Sequence, residues 1–442
     1  MKPNVIILIC DTMRKSIMDM YGGPARLPNI NALAKDSMVY DNCIAPETWT
    51  FPSHASMFTG MYASEHGIHE TKDKKVSWLI DANSKLEAER LPETMQDKGY
   101  STLCISNNYM LTRNTGFDYG FDNFLTLETS PWSQSKLATE ARNLGADPMQ
   151  VLNVLVRKGR FDTIIKYARE MMRIRQIAKT ANYPLSKGAE LTNELLMNAT
   201  LNEPLFLFVN FWEMHEPYVG FSDKELLDDL TGIKKFGDKK VEFLKRQYIL
   251  EGEFLDAQVG RFIKMLKSRG LYDNSMIILT SDHGQAFDEH GYIYHGTYLY
   301  DEIVRVPLII KYSKSKKFKK RKGYQSLVNI PRLISDIVKG KDDGSLTTRT
   351  AFAEAYGSID FLPKSYDHLR ASFEQKYEKV RKAVYMDGYK LTLNGSDGTI
   401  EEFMKDGRDI RVGSERNSRM LRLLVRKIDE FRGDEEFRLP EV

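Results

Sequence analysis

Cysteine is scarce in this 442-residue chain: only Cys10, Cys43 and Cys104 occur, too few and too scattered for a disulfide framework. A membrane-length apolar run is also missing. The first apolar stretch, Val5 to Cys10, is bounded by Lys2 and Asp11 and is shorter than a signal-peptide core. The expectation is therefore a cytoplasmic protein without a transmembrane segment. Nor does one sign of charge dominate: a formal net charge of +3 lacks the concentrated basic face of a nucleic-acid binder, so no nucleic-acid partner is expected. With 42% hydrophobic and 28% charged residues, the chain can bury a large core, and disorder as the dominant state is excluded.

Val5 to Cys10 is an aliphatic run ending at an acid, the pattern of a buried parallel strand whose carboxyl end delivers a functional side chain. Similar runs recur at Thr102 to Ile105, Leu205 to Val209, Met276 to Thr280 and Val306 to Ile310. Helical stretches lie between them, such as Leu91 to Lys98, with Pro92 at a first position and Gly99 as a stop. This alternation predicts an α/β fold with a large, mixed, mostly parallel sheet covered by helices on both faces.

From Pro131 to about Lys187 the pattern turns helical, with Phe161, Ile164, Ile165, Ala168 and Met172 on one stripe, and a helical insertion packed on the main domain is expected. The basic run Lys311 to Lys322 follows a strand and reads as an exposed loop. Beyond residue 340, Arg381 to Asn394 reads as two strands joined at Asp387-Gly388, a second turn follows at Asp397-Gly398, and Met420, Leu421, Leu424, Ile428 and Phe431 mark a helix ending at Gly433. The predicted division is a catalytic domain over 1–340, with its insertion at about 131–187, and a small α+β subdomain over 341–442.

Seven of the eight histidines cluster: His54, His66 and His69, then His215, then His283, His290 and His295. Several histidines beside acids at strand ends fit a metal or catalytic site better than scattered structural roles. Thr50 stands just before a helix expected from about Pro52 to Gly60, where free N–H groups and the helix dipole favour an oxyanion. Alone, Thr50 and Ser53 would read as caps. Ser281-Asp282-His283-Gly284 follows the strand Met276 to Thr280 and, with Asp11 from the first strand end, can hold one divalent cation that also binds the Thr50 oxygen.

These segments together resemble the sulfatase family of the alkaline-phosphatase superfamily. The resemblance runs from Pro3-Asn4-Val5 through Asp11, the Thr50 to Gly60 segment, His66-Gly67-Ile68, His215-Glu216-Pro217-Tyr218, Ser281 to Gly284, Tyr300-Asp301-Glu302 and Val306-Pro307 to Tyr389-Lys390-Leu391. It implies an alkaline-phosphatase-like fold, with Asp11, Asp282 and His283 as metal ligands and Thr50 at the nucleophile position. His215 and His295 fall where the family's His and Lys side chains touch the substrate anion, and His54 replaces the usual Arg.

The departures redirect the chemistry. The family's Cys or Ser is oxidised to formylglycine, an aldehyde that threonine cannot yield, so the resemblance points to a covalent phospho-threonine cycle instead. Thr12 stands for the second metal-binding Asp, and Asn107-Asn108 for a Lys-x-His, with Asn107 a candidate donor to an ester oxygen or, alternatively, a turn residue after the strand. A second metal would need another acid and two more histidines; Asp256 is followed four places on by Gly260, and His368 stands apart. One divalent ion (Zn, Mn, Ca or Mg) is therefore expected. The predicted function is hydrolysis of a small-molecule or saccharide phosphate or phosphonate ester, the alternatives being a sulfatase in the strict sense and a non-catalytic anion-binding relative.

Overall fold

The computed structural model describes residues 2–69, 76–127, 186–220, 222–314, 319–341, 347–357, 362–433 and 436–442. Apart from Ser186 and Lys187, the insertion expected at about 131–187, including its stripe from Phe161 to Met172, lies outside the described residues.

The strands in chain order are β1 (Asn4–Cys10), β2 (Met38–Ile44), β3 (Ser101–Ser106), β4 (Asn123–Thr126), β5 (Leu205–Phe211), β6 (Ser275–Thr280), a short hairpin of β7 (Ala286–Phe287) and β8 (Ile293–Tyr294), β9 (Arg305–Lys311) and β10 (Lys319–Ser326). Apart from the hairpin they form one eight-stranded sheet in the order β10-β2-β9-β6-β1-β5-β3-β4. The strands β6, β1, β5, β3 and β4 run parallel, whereas β9 is antiparallel to both β6 and β2. Every residue of β1 is buried because its side chains alternate between two cores. Ile6, Leu8 and Cys10 join the long helix Asp238–Ser268 through Leu255, Val259 and Phe262, whereas Val5, Ile7 and Ile9 join the helix Thr50–Thr59 through Phe51 and Phe58. An unbroken apolar run encodes this two-sided burial. Cys10, Cys43 and Cys104 are buried free thiols.

A second, antiparallel sheet follows, of β11 (Thr350–Tyr356), β12 (Val380–Met386), β13 (Tyr389–Asn394), β14 (Ile400–Lys405) and β15 (Arg408–Asp409), in that order. Asp387 at φ 51° and Gly388 at φ 80° make the two-residue turn read from the sequence. Val384, Leu391 and Leu393 on one face pack against Leu421, Leu424 and Ile428 of the helix Glu415–Arg432. The opposite face, with Ala353, Ala383 and Tyr385, closes on Tyr292, Ile293, Leu299 and Ile303 of the main body.

Two expectations need correction. Much of the basic run Lys311 to Lys322 is not loop: Lys311 ends β9 with its ammonium buried against the carbonyls of Asp273 and Ser275, and Lys319 to Lys322 begin the edge strand β10, parallel to β2. Lysine-rich edges resist pairing with other chains, which is how such a sequence can be a strand. The helix near Pro52 begins two residues earlier, so Thr50 is its first helical residue rather than its predecessor. Proline is tolerated throughout a first turn and marks the start only loosely.

Candidate active site

The parallel strands β1, β3, β5 and β6 all end on one edge of the sheet, and the residues that follow them meet there. Asp11 and Thr12 follow β1, Asn107 and Asn108 follow β3, His215 and Glu216 lie beyond β5, and Asp282 and His283 follow β6. Thr50 enters from its helix. Thr12 links the two acids: its hydroxyl donates to Asp11 Oδ1 at 2.9 Å and its N–H to Asp282 Oδ1 at 3.1 Å. It does so at φ 64°, a strained conformation for a β-branched residue, held from behind by Tyr248, whose hydroxyl donates to the Thr12 carbonyl at 2.7 Å. Gly284 lets this edge close, since a Cβ there would sit 2.2 Å from the Glu302 carbonyl oxygen.

Thr50 is 2% exposed, and its hydroxyl lies 3.4 Å from both His283 Nε2 and Asn108 Nδ2. Asn108 Nδ2 also donates to Asp11 Oδ2 at 2.7 Å, and Asn210 Nδ2 donates to the same oxygen at 3.1 Å. The Met110 N–H donates to Asn108 Oδ1 and so fixes which way the amide faces. Asn107, the residue singled out from the sequence, turns elsewhere: its Oδ1 accepts from Thr192, and its Nδ2 is buried without a partner. Neither strand-end spacing nor composition separates the two asparagines. A strand's twofold alternation does, once its last residue is known to be Ser106.

His54 is fully buried, with Nδ1 2.8 Å from the Thr50 carbonyl oxygen and 3.6 Å from Asp282 Oδ2, and its ring lies among Phe58, Phe117 and Phe208. It therefore supports Thr50 and Asp282 from the core side. Burial alone would raise the Asp282 carboxyl, but the imidazoles of His283 and His54 and the N–H groups of Thr12 and His283 hold it below the usual carboxylate value. Asp282 Oδ2 has no hydrogen-bond partner, whereas His283 Nδ1 is occupied by the Gly284 carbonyl, which leaves Nε2 toward Thr50. Asp11, Asp282 and His283 each offer one donor atom, all within 4.8 Å of one another. An orphaned carboxylate oxygen, a second carboxylate and a correctly turned imidazole fit a divalent cation.

A second cluster adjoins the first. His215, Glu216 and His295 likewise offer donor atoms within 4.8 Å of one another, and the His295 ring lies 4.5 Å from that of His283 and 5.1 Å from that of His215. His215 Nδ1 lies 2.9 Å from the Glu216 carbonyl oxygen and His295 Nδ1 2.7 Å from Gln285 Oε1, so both rings present Nε2, while Glu216 Oε2 is buried without a hydrogen bond, 4.0 Å from His295 Nδ1. Burial, with His283 and His215 nearby, pushes the His295 imidazole well below its usual pKa and keeps it neutral. The structure thus gathers an acid and two histidines in a second cluster, and Glu216 escapes a search for an acid at a helical spacing from a histidine because it directly follows His215.

Three further histidines do other work. His66 Nε2 lies 2.9 Å from Ser56 Oγ, His69 stacks on Tyr356, and His290 pairs with Glu302. Asp256 accepts from the N–H groups of Asn29 and Ile30 and caps the helix Pro28–Ala34. A polar cavity of about 280 Å³ opens elsewhere, between Arg305, Tyr324, Asp387 and Lys390, and none of the residues around Thr50 line it. Among the described residues, no helix is long and apolar enough to cross a membrane.

The family model described as Sulfatase matches residues 3–340. Among curated relatives, an N-acetylglucosamine-6-O-sulfatase of Bacteroides thetaiotaomicron is 23% identical over 370 residues, covering 71% of this chain and 63% of that protein. An arylsulfatase of Clostridium perfringens is 24% identical over 371 residues, covering 73% and 71%. The first two curated relatives are each spanned over 63% of their own length. Among solved structures, the phosphonate monoester hydrolase of Agrobacterium radiobacter superposes with a TM-score of 0.66 at 16% identity, covering 98% of this chain and 95% of that one. At such identity the likeness establishes the fold.

Proposed function

This chain belongs to the sulfatase family, and on that premise we propose that it is a metal-dependent hydrolase of phosphate or phosphonate esters with Thr50 as nucleophile. The observation that carries this reading is the Thr50 hydroxyl, buried 3.4 Å from His283 Nε2 and 3.4 Å from the Asn108 amide that also holds Asp11. Asp11, Asp282, His283 and the Thr50 oxygen would hold a divalent ion, which when bound supplies Lewis-acid polarisation and lowers the pKa of the hydroxyl. The donor set of carboxylate, imidazole and hydroxyl suits Zn or Mn better than Ca.

In the first half-reaction Thr50 Oγ gives up its proton and bonds to phosphorus, the P–O bond to the alcohol breaks, and the alkoxide leaves as the alcohol with one proton, equal to the one Thr50 gave up. Water then attacks phosphorus, the Oγ–P bond breaks, one water proton returns to Thr50 Oγ, and the anion leaves with the water's oxygen. Threonine's branched Cβ cannot become the aldehyde on which strict sulfatases depend, which favours this cycle over sulfate release. Asn108 orients the hydroxyl, and His54 fixes the first helical turn through the Thr50 carbonyl.

A second reading concerns His215 and His295. A buried carboxylate, Glu216, whose Oε2 has no hydrogen bond, beside two imidazoles presenting Nε2 favours a second cation there over direct anion contacts. Two equivalents of tightly bound metal in the wild type, falling to one in His295→Ala, is the expected result. One equivalent in both returns the histidines to the substrate.

The central test is a quenched reaction analysed by mass spectrometry, with a panel of aryl phosphates, phosphonates and sulfates. One phosphoryl group on the peptide carrying Thr50, absent from Thr50→Ala, is expected. An alanine variant that keeps more than a few per cent of activity sinks the nucleophile assignment. Failure to hydrolyse any activated ester with Mn, Zn, Mg or Ca leaves the anion-binding alternative.

A further inference from the structure

Lys187 belongs to neither cluster, yet its ammonium ends on the turn that carries His215. It is 7% exposed; Nζ donates to the carbonyls of Glu213 and, at 2.6 Å, His215, and lies 3.8 Å from Glu251 Oε1 on the long helix. The main chain is fastened to the same turn, because the N–H groups of Lys187 and Ala189 donate to Glu213 Oε1 at 3.1 and 2.7 Å. Glu213 is fully buried, which raises its carboxyl, with those N–H groups and Lys187 opposing the rise.

Beyond β5 the sheet no longer supplies partners for the turn, whose own bond is the His215 N–H to the Trp212 carbonyl. A buried carbonyl must be paired. The carbonyls of 213 and 215 converge on one ammonium, and the Tyr218 hydroxyl donates to the Met214 carbonyl between them at 2.9 Å, so the Lys187 ammonium and Tyr218 together set the path of the backbone. That path aims the His215 ring at His295, 5.1 Å away, and carries Glu216 with it.

We propose that Lys187 is a positioning residue that holds His215 and Glu216 in register with His295. The inference rests on the reading of His215 as part of the active site. Two measurements on the full chain test it. In a double-mutant cycle on kcat/KM for an aryl phosphate, Lys187→Met should cost about 10- to 100-fold, the scale of a 1 Å misplacement, but no more than about twofold on top of His215→Ala. Losses that multiply would overturn the proposal, since Lys187 would then act through something else. In parallel, imidazole resonances of His215 should move in Lys187→Met while those of His54 hold; an unmoved His215 overturns it whatever the rates. If His215 moves but His215→Ala is fully active, positioning stands and the active-site role of His215 falls. Should Lys187→Met be unfolded by circular dichroism, Lys187→Gln, which keeps an amide donor, replaces it in both measurements.

Discussion

Replacing Asn108 by leucine keeps the branching of the side chain but removes the two hydrogen bonds of its amide donor and the acceptor of the Met110 N–H. The donor reaches Asp11 Oδ2 at 2.7 Å and Thr50 Oγ1 at 3.4 Å. The second contact is long, so most of the cost falls on the first, a hydrogen bond to a buried carboxylate worth about 1.5–3 kcal/mol. If that interaction persists to the transition state, kcat/KM should drop by about 10- to 150-fold. Asn108→Asp separates geometry from charge. It places a carboxylate oxygen 2.7 Å from Asp11 Oδ2, where two like charges cannot both ionise at ordinary cost. In the presence of a chelator at pH 7 the Asp variant should therefore melt below the Leu variant, and the gap should close on acidification as the pair shares a proton. Thermal scans with chelator, kinetics on an activated aryl phosphate and bound metal by mass spectrometry would be read together. Leu and Asp variants both within twofold of wild-type kcat/KM would refute the placement of Asn108 at the reacting hydroxyl.

Asp282→Asn and His283→Ala should each lose bound divalent metal and activity together; full metal content in an inactive variant would reassign that residue to the substrate. His66 predicts an acid limb in stability. Burial, reinforced by His69, lowers its pKa from 6.5 to about 3. Below pH 6.5 the unfolded chain takes up a proton that the folded chain refuses, so this contribution is complete above that pH and is lost as pH falls toward 3. The limiting slope is about 1.4 kcal/mol per pH unit. Urea midpoints from pH 7 to 4 should fall more steeply for the wild type than for His66→Gln, and equal slopes would mean that His66 is not held neutral.

The buried strands were legible because two-sided burial leaves uninterrupted aliphatic runs, as in β1, β5 and β6. The candidate ligands at their ends were legible for the same reason: Asp11 and Asp282 stand where such runs stop. Edge strands carry no such signal, since β10 has one neighbour and exposes Lys319, Lys320 and Lys322. Glu216 and Asn108 escaped for a different reason. Each adjoins a residue already singled out, and which of two neighbours faces a site depends on where the strand ends and how the turn is tied. Those are tertiary facts, supplied here by Met110 for one and by Lys187 for the other.

The loop that carries His295 has little core of its own and leans on the C-terminal sheet. Arg381, 1% exposed, donates to Thr297 through both its carbonyl and its hydroxyl; Lys390 donates to the Leu299 carbonyl at 2.7 Å, and Tyr385 to Asp301 at 2.7 Å. Every one of these props lies beyond residue 340, where the family match ends. A protein trimmed to the matched segment would keep Thr50 and its neighbours in sequence while leaving three buried donors' worth of anchorage behind. The part that looks like an accessory in one dimension is, in three, the prop of the loop that carries His295, and it must travel with the matched segment in any chimera or truncation meant to keep that loop in place.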